Sequence, residues 1–409
     1  MSRQMRCRSC GEDEVIVARS YCESCFGPLE VVYDYDAIRA NVDRDAVAAR
    51  PRGVFRFAEL LPVEEVPAFS HEVGETPLMP APRLAKALGL TEVFLKNDAV
   101  NAPTLSFKDR VVAMALGKAK ELGFDKVGCA STGNLANSVA AQSRRADLEA
   151  FILIPTGLEA AKILGSAVYN TTLVEVEGVY DDVNRLCAQL ADQLPIGFVN
   201  VNLRPFYAEG SKTFGFEIAE ALGWRAPDAV VCPMAGGSLI GKIHKAFSEL
   251  ETLGWIEENG ARMYGAQAAG CQPIVDGFER GDDEVQPVKP NTIAKSLAIG
   301  NPADGYFASK LIRKTGGVAT GVSDEEIVAG MRLLADREGV FAETAGGVTV
   351  AVTKRLAEAG HLKAGETVVL AITGNGLKTS DALSTQLPPP KRIQAKTSQF
   401  VAIFEGARA

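Results

Sequence analysis

From Pro82 onward the chain alternates short apolar runs with longer amphipathic stretches. Glu92–Lys96, Val127–Ala130, Ala150–Ile154, Thr172–Val176 and Gly197–Val201 are too short for stable helices and rich in apolar side chains, so they predict strands. Between them, Lys108–Leu122, Leu135–Arg145, Ala160–Ser166 and Tyr180–Gln193 repeat their apolar positions every three or four residues, the period of a helix with one buried face. Pro82–Leu88 reads as a helix with proline in its first turn, where the missing N–H costs nothing. A second run follows: helix Ser211–Leu222, strand Ala229–Cys232, helix Leu239–Leu250, strand Met263–Ala268, helix Asp324–Glu338 and strand Thr367–Ile372. This alternation predicts an α/β protein of two doubly wound sheet domains, parallel strands covered by helices on both faces, with a cleft between the two layers. At Pro388-Pro389-Pro390-Lys391 the pattern stops, and residues 388–409 read as an appended tail.

The first 32 residues follow another pattern. Cys7-x2-Cys10-x11-Cys22-x2-Cys25 precedes Gly27 and the strand-like run Leu29-Glu30-Val31-Val32-Tyr33. Two such knuckles bring four soft thiolates within tetrahedral reach, which suits structural Zn²⁺. A ribbon that folds without metal and a redox dithiol are the alternatives. The other four of the eight cysteines are scattered through apolar contexts, so a disulfide framework is not expected.

At 409 residues and 47% hydrophobic content, the chain can bury more than one core. Its net charge of −8 supplies no basic field for nucleic acid or anionic lipid. The charged start Met1-Ser2-Arg3-Gln4-Met5-Arg6 is unlike a secretory leader, and no apolar run approaches the ~18 residues of a membrane span. A cytosolic protein is the expectation, with the acidic charge read as serving solubility.

The three histidines, His71, His244 and His361, lie far apart, in neither a metal-ligand spacing nor a nucleophile-elbow context. Dinucleotide and Walker glycine patterns are absent too. Three polar, glycine-bearing turns remain, each between a predicted strand and a helix: Ser131-Thr132-Gly133-Asn134, Met234-Ala235-Gly236-Gly237-Ser238 and Thr373-Gly374-Asn375-Gly376-Leu377-Lys378. Backbone N–H groups at such helix starts bind anions, although a turn needs glycine and a polar cap for structure alone. A fourth element, Pro103-Thr104-Leu105-Ser106-Phe107-Lys108-Asp109-Arg110, puts a lysine at a helix N-terminus. A cation opposes the helix dipole there, whereas a neutral amine or an imine does not; an ordinary solvated lysine is the bland alternative.

In their order and rough spacing, Ser106-Phe107-Lys108-Asp109-Arg110, Ser131-Thr132-Gly133-Asn134, Ala235-Gly236-Gly237-Ser238-Leu239 and Thr373-Gly374-Asn375-Gly376 resemble the pyridoxal-phosphate (PLP) enzymes of fold type II, the tryptophan synthase β-like fold. With Gly74-Glu75-Thr76-Pro77-Leu78, Ile299-Gly300-Asn301-Pro302 and the cysteine ribbon, they are most similar to the threonine synthase branch. The resemblance extends over residues 1–385. It implies that Lys108 carries the cofactor as a Schiff base and moves protons, that Phe107 packs beside the ring, and that Asn134 bonds the ring hydroxyl. It further implies that Met234, Ala235, Gly236, Gly237 and Ser238 cradle the cofactor phosphate, that Thr373 faces the pyridine nitrogen, and that Ser131, Thr132 and Gly133 hold the substrate carboxylate. The reaction implied turns O-phospho-L-homoserine and water into L-threonine and phosphate.

Candidates for holding the departing phosphate are Lys96, Thr104 and Arg204. Here the chain departs from the branch: Arg204-Pro205-Phe206-Tyr207 stands where many members read Asn-Pro-Tyr-Arg, and Leu105 stands where glycine is common. The resemblance implies a ribbon over 1–32, a large domain over 33–102 and 200–387, a small domain over 103–199 carrying Lys108, and a homodimer. Rival readings are a lyase acting on O-phosphoserine, as cysteate synthase does, a serine or threonine dehydratase, and a ribbon binding module on an inactive α/β body.

Overall fold

The computed structural model describes residues 3–156, 160–178, 180–384, 387 and 389–406. Strands β1 (Arg3–Cys7), β2 (Asp13–Glu14) and β3 (Leu29–Tyr33) form an antiparallel ribbon in the order β2-β1-β3. The chain then lays down β4 (Leu78–Pro80) and β5 (Glu92–Asn97) and leaves to build a four-stranded parallel sheet. That smaller sheet contains β6 (Lys126–Ala130), β7 (Glu149–Pro155), β8 (Thr172–Val176) and β9 (Gly197–Phe198), in the order β8-β7-β6-β9. Returning, the chain adds β10 (Ala229–Pro233), β11 (Arg262–Ala268), β12 (Ala319–Val322) and β13 (Thr367–Ile372) to complete a six-stranded sheet ordered β12-β11-β10-β13-β5-β4.

Every residue of β10 and β13 is buried, as expected of central parallel strands covered on both faces. Val230 of β10 pairs with Met263 of β11 on one side and Val369 of β13 on the other. Within the six-stranded sheet only β4 runs antiparallel, at the edge, where Pro80 removes no central ladder bond.

Among the differences from the sequence expectation, three have a clear physical reason or bound the fold. The strand expected over Gly197–Val201 ends at Phe198, because Asn202 replaces the ladder there: its Oδ1 accepts from Phe198 N at 2.8 Å and its Nδ2 donates to Ile196 O at 3.1 Å. Residues 397–406, expected to be tail, form a helix, Thr397–Gly406, while Pro388 lies outside the described residues. The helix Thr344–Glu358 has no counterpart in the hydrophobic pattern, since its run of valines and threonines reads as strand. Tertiary packing overrides that preference. Gly347 and Gly330 let this helix meet Asp324–Glu338 backbone to backbone, and a Cβ on Gly330 would lie 2.3 Å from Gly347 O.

Two buried charge clusters tie the body together. Glu209, wholly buried, binds Lys212 at 2.7 Å and Lys242 at 2.5 Å and accepts from the Tyr33 hydroxyl at 2.7 Å, joining the ribbon strand β3 to the helices Arg204–Glu209, Lys212–Ala221 and Ser238–Thr252. In the second cluster, Arg110 reaches Asp98 at 2.7 Å and Glu217 at 2.5 Å, while Lys96 reaches Glu217 at 2.6 Å. Burial alone would raise the Glu217 carboxyl, but Arg110 and Lys96 outweigh it and bring it to about 2.

Candidate active site

Lys108 begins the helix Lys108–Glu121, whose middle from Asp109 to Ala119 is buried without interruption. The segment before it is fixed by Asp109, fully buried, which accepts from Thr104 N (2.9 Å), Thr104 Oγ1 (2.8 Å) and Ser138 Oγ (2.7 Å). Ser138 lies on the helix Asn134–Arg145, so Asp109 also locks the two helices together. Lys108 is half-buried, its Nζ 5.5 Å from the centre of the Phe107 ring and 5.6 Å from that of Tyr207. Phe107 itself is buried and meets Phe214 edge-on at 6.1 Å.

The turn after β13 is stitched to this segment by backbone. Phe107 N donates to Thr373 O at 2.8 Å, Asn375 N donates to Leu105 O at 3.1 Å, and Ser106 bridges Gly374. Leu105 adopts φ +61°, the left-handed region where a leucine is strained and glycine is not. Opposite, the carboxylate of Glu343 accepts from Asn134 Nδ2 at 2.9 Å and from Thr373 Oγ1 at 3.4 Å. Glu343 is buried, and burial pushes its carboxyl up despite the pull of Asn134, Lys378, Thr373 and Lys108.

Gly237 (φ +87°) turns the chain from β10 into the helix Ser238–Thr252, and a Cβ there would press on the Asp304 backbone at 3.0 Å. Asp304 N donates to Gly236 O at 2.9 Å, fixing the turn, and Met234 is anchored by N–H donation to Ala266 O at 2.8 Å; Ala235 is partly buried. A Cβ on Gly236 or Gly133 would meet no atom within 4 Å, so both turns border open space. Ser131 and Thr132 are half-buried beside it, and Ser131 Oγ accepts from Gly133 N at 3.3 Å. Ser106 Oγ, next to Phe107, is buried with no hydrogen-bond partner among the described residues. Open turns at helix N-termini, an orphaned buried hydroxyl and a lysine at the helix start fit a phosphate-bearing aldehyde cofactor.

The three residues expected at the departing phosphate are otherwise engaged. Lys96 is wholly buried, its ammonium donating to Glu217, Thr76 O (2.5 Å) and Thr76 Oγ1 (2.7 Å), so no donor is left. Thr104 spends both its hydroxyl proton and its N–H on Asp109. Arg204 pairs with Asp304 Oδ2 at 2.5 Å and lines a small cavity against the ribbon with Arg8, Ser238 and Lys242. One helical turn later Tyr207, not an arginine, faces Lys108.

Sequence reasoning missed Glu343 and Lys378. Glu343 precedes a helix that the hydrophobic pattern conceals. Lys378 stood in a turn already singled out, but its neighbours did not. It is half-buried; burial lowers its ammonium pKa, while Asp109 and Glu343 act to raise it, and it forms an ion pair with neither among the described residues.

In the ribbon, the four sulfurs of Cys7, Cys10, Cys22 and Cys25 lie within 4.8 Å of one another, and all four thiols are free. Cys7 and Cys25 are 3.4 Å apart and Cys10 and Cys22 3.8 Å, close to the ~3.8 Å edge of a tetrahedron with ~2.3 Å Zn–S bonds. Backbone N–H groups of Ser9 and Cys10 point at Cys7 Sγ from 3.4 and 3.5 Å, so the knuckle is shaped for thiolates.

The family described as pyridoxal-phosphate dependent enzyme matches residues 69–374, and the chain belongs to it. A curated threonine synthase from Methanocaldococcus jannaschii is 40% identical over 407 residues, covering 98% of this chain and 99% of the relative. One from Methanosarcina acetivorans is 36% identical over 411 residues and covers 99% of both. Within the cofactor class, the chain belongs to the threonine synthases. The solved structure of the processed form of threonine deaminase isoform 2 from Solanum lycopersicum aligns with a TM-score of 0.63 at 21% identity, covering 84% of this chain and 95% of that one. That likeness is of fold.

Proposed function

We propose that the chain converts O-phospho-L-homoserine and water into L-threonine and inorganic phosphate. The observation that carries this reading is kinship with threonine synthases along the whole chain, joined to a lysine at a helix start and to two polar turns, at Gly133 and Gly236, that border open space. When bound, the cofactor supplies an electron sink that makes the C–H bond next to the substrate nitrogen acidic. Lys108 would anchor the cofactor, and its amine would take and return protons at the substrate carbons. The N–H groups of Met234–Ser238 and the N-terminal dipole of the helix after them hold the cofactor phosphate. Asn134 and Thr373 hold the ring's polar edges, and Ser131, Thr132 and Gly133 receive the substrate carboxylate. Phe107 and Tyr207 flank the lysine with aromatic surface that keeps water from it. With Lys96 and Arg204 committed elsewhere, Lys378 is the cation we assign to the departing phosphate.

Around this centre we assign a structural zinc ion to Cys7, Cys10, Cys22 and Cys25, and a homodimer in the cytoplasm. No helix among the described residues is long and apolar enough to cross a membrane.

Incubating the PLP-loaded protein with O-phosphohomoserine and, separately, with O-phosphoserine tests the substrate. Equimolar phosphate and threonine from the first is the expected result. Phosphate release from O-phosphoserine alone would overturn the reading in favour of the phosphoserine-using relatives.

A further inference from the structure

Glu343 has no part in the reaction as derived above, yet it lies between two groups that do. It is 2% exposed, and both carboxylate oxygens are engaged: Oε2 by Asn134 Nδ2 at 2.9 Å, Oε1 by Thr373 Oγ1 at 3.4 Å. Its backbone N–H donates to Gly374 O at 2.9 Å, and a Cβ on Gly374 would lie 2.5 Å from Oε1. Asn134 follows β6 of the smaller sheet and Thr373 follows β13 of the larger one. The carboxylate therefore spans the two halves of the site.

Burying a carboxylate is unfavourable unless its oxygens are satisfied. An asparagine amide, for its part, carries two N–H groups and one carbonyl on a nearly symmetrical end, and only its partners decide which way round it sits. With one Asn134 N–H bound to Glu343, a flip would set the amide carbonyl against a carboxylate oxygen, acceptor against acceptor. The second N–H is left facing away from Glu343, free for another acceptor. The Thr373 contact is longer than the ~2.8 Å of a well-formed hydroxyl bond, so it orients that hydroxyl weakly.

We infer that Glu343 is a positioning residue: it locks the Asn134 amide so that an N–H, rather than the carbonyl, meets the cofactor's ring oxygen. The inference rests on the reading in which Asn134 flanks that ring. Glu343 touches neither cofactor nor substrate in this scheme. Its work is done through Asn134.

The PLP-loaded protein reports this directly, because the ratio of its visible to its near-ultraviolet absorbance records whether the proton sits on the lysine nitrogen or on the ring oxygen. An N–H donated to that oxygen favours the visible form. In Asn134→Ala and Glu343→Ala the ratio is expected to fall about fivefold or more, the worth of one neutral hydrogen bond, with no further fall in the double variant. Glu343→Gln, whose carbonyl can still accept from Asn134, is expected to keep the wild-type ratio. A wild-type spectrum in Glu343→Ala beside a shifted one in Asn134→Ala would overturn the inference, and so would a glutamine variant that behaves like the alanine one. If Glu343→Ala does not fold, Glu343→Leu carries the same expectation, since it fills the volume without an acceptor. An unchanged spectrum in Asn134→Ala would instead remove the premise that this residue faces the ring.

Discussion

The N–H of Phe107 donates to the carbonyl oxygen of Thr373 at 2.8 Å, so the start of the Lys108 helix and the turn after β13 move as one piece. Gly374, next in that turn, is where the piece meets Glu343. Gly374→Ala would set a methyl 2.5 Å from Glu343 Oε1. We expect it to cost about 1–3 kcal/mol in stability, as overpacking does, and to weaken PLP binding. Thermal unfolding with and without PLP checks both.

Lys96 serves the fold and not the substrate. Lys96→Met removes one of the two cations on a buried carboxylate and should cost about 3 kcal/mol in urea unfolding while leaving KM for O-phosphohomoserine unchanged. The pH dependence follows from the depressed Glu217 carboxyl. Held at about 2 against an ordinary 4.5, it contributes stability that is complete above pH 4.5 and lost as the pH falls from there toward 2. In Lys96→Met that loss should be smaller and confined to a narrower range.

Much of this was legible in the sequence, and what was not has physical reasons. The central strands could be read because burial on both faces leaves continuous apolar runs, as at Ala229–Pro233 and Thr367–Ile372. The glycine turns and Lys108 stood out because their chemistry is local. What escaped was set by partners distant in sequence. Lys96 reads as a free cation until Glu217, on the helix Lys212–Ala221, is seen to hold it. The helix after Glu343 is concealed by its β-branched residues, and its glycines gain meaning only against Asp324–Glu338.

Leu105 holds a backbone conformation that costs a side-chain-bearing residue ~1–2 kcal/mol. Glycine relieves this strain but gives back part of the gain as unfolded-chain entropy. Leu105→Gly is expected to raise stability by up to ~1 kcal/mol, and Leu105→Val, branched at Cβ, to lower it. Denaturant midpoints of the two variants decide.

If Lys378 binds the departing phosphate, Lys378→Met should raise KM for O-phosphohomoserine at least tenfold, the ~1.4 kcal/mol or more of a charge-assisted bond. PLP content and thermal stability should stay near wild type. Equal losses in cofactor content and turnover would place Lys378 in the fold instead.

The ribbon makes a separate prediction. Metal analysis of protein purified without chelators should find one zinc per chain, and Cys7→Ser should lose it. Because a structural zinc site contributes to folding, strong chelation should lower the first unfolding transition while the PLP spectrum persists.

The central claim is that Lys108 carries the cofactor. Borohydride reduction of the PLP-loaded protein, followed by proteolysis and mass spectrometry, should place the pyridoxyl group on Lys108, with Lys108→Ala unlabelled. A label on any other lysine, or full labelling in Lys108→Ala, would contradict the account.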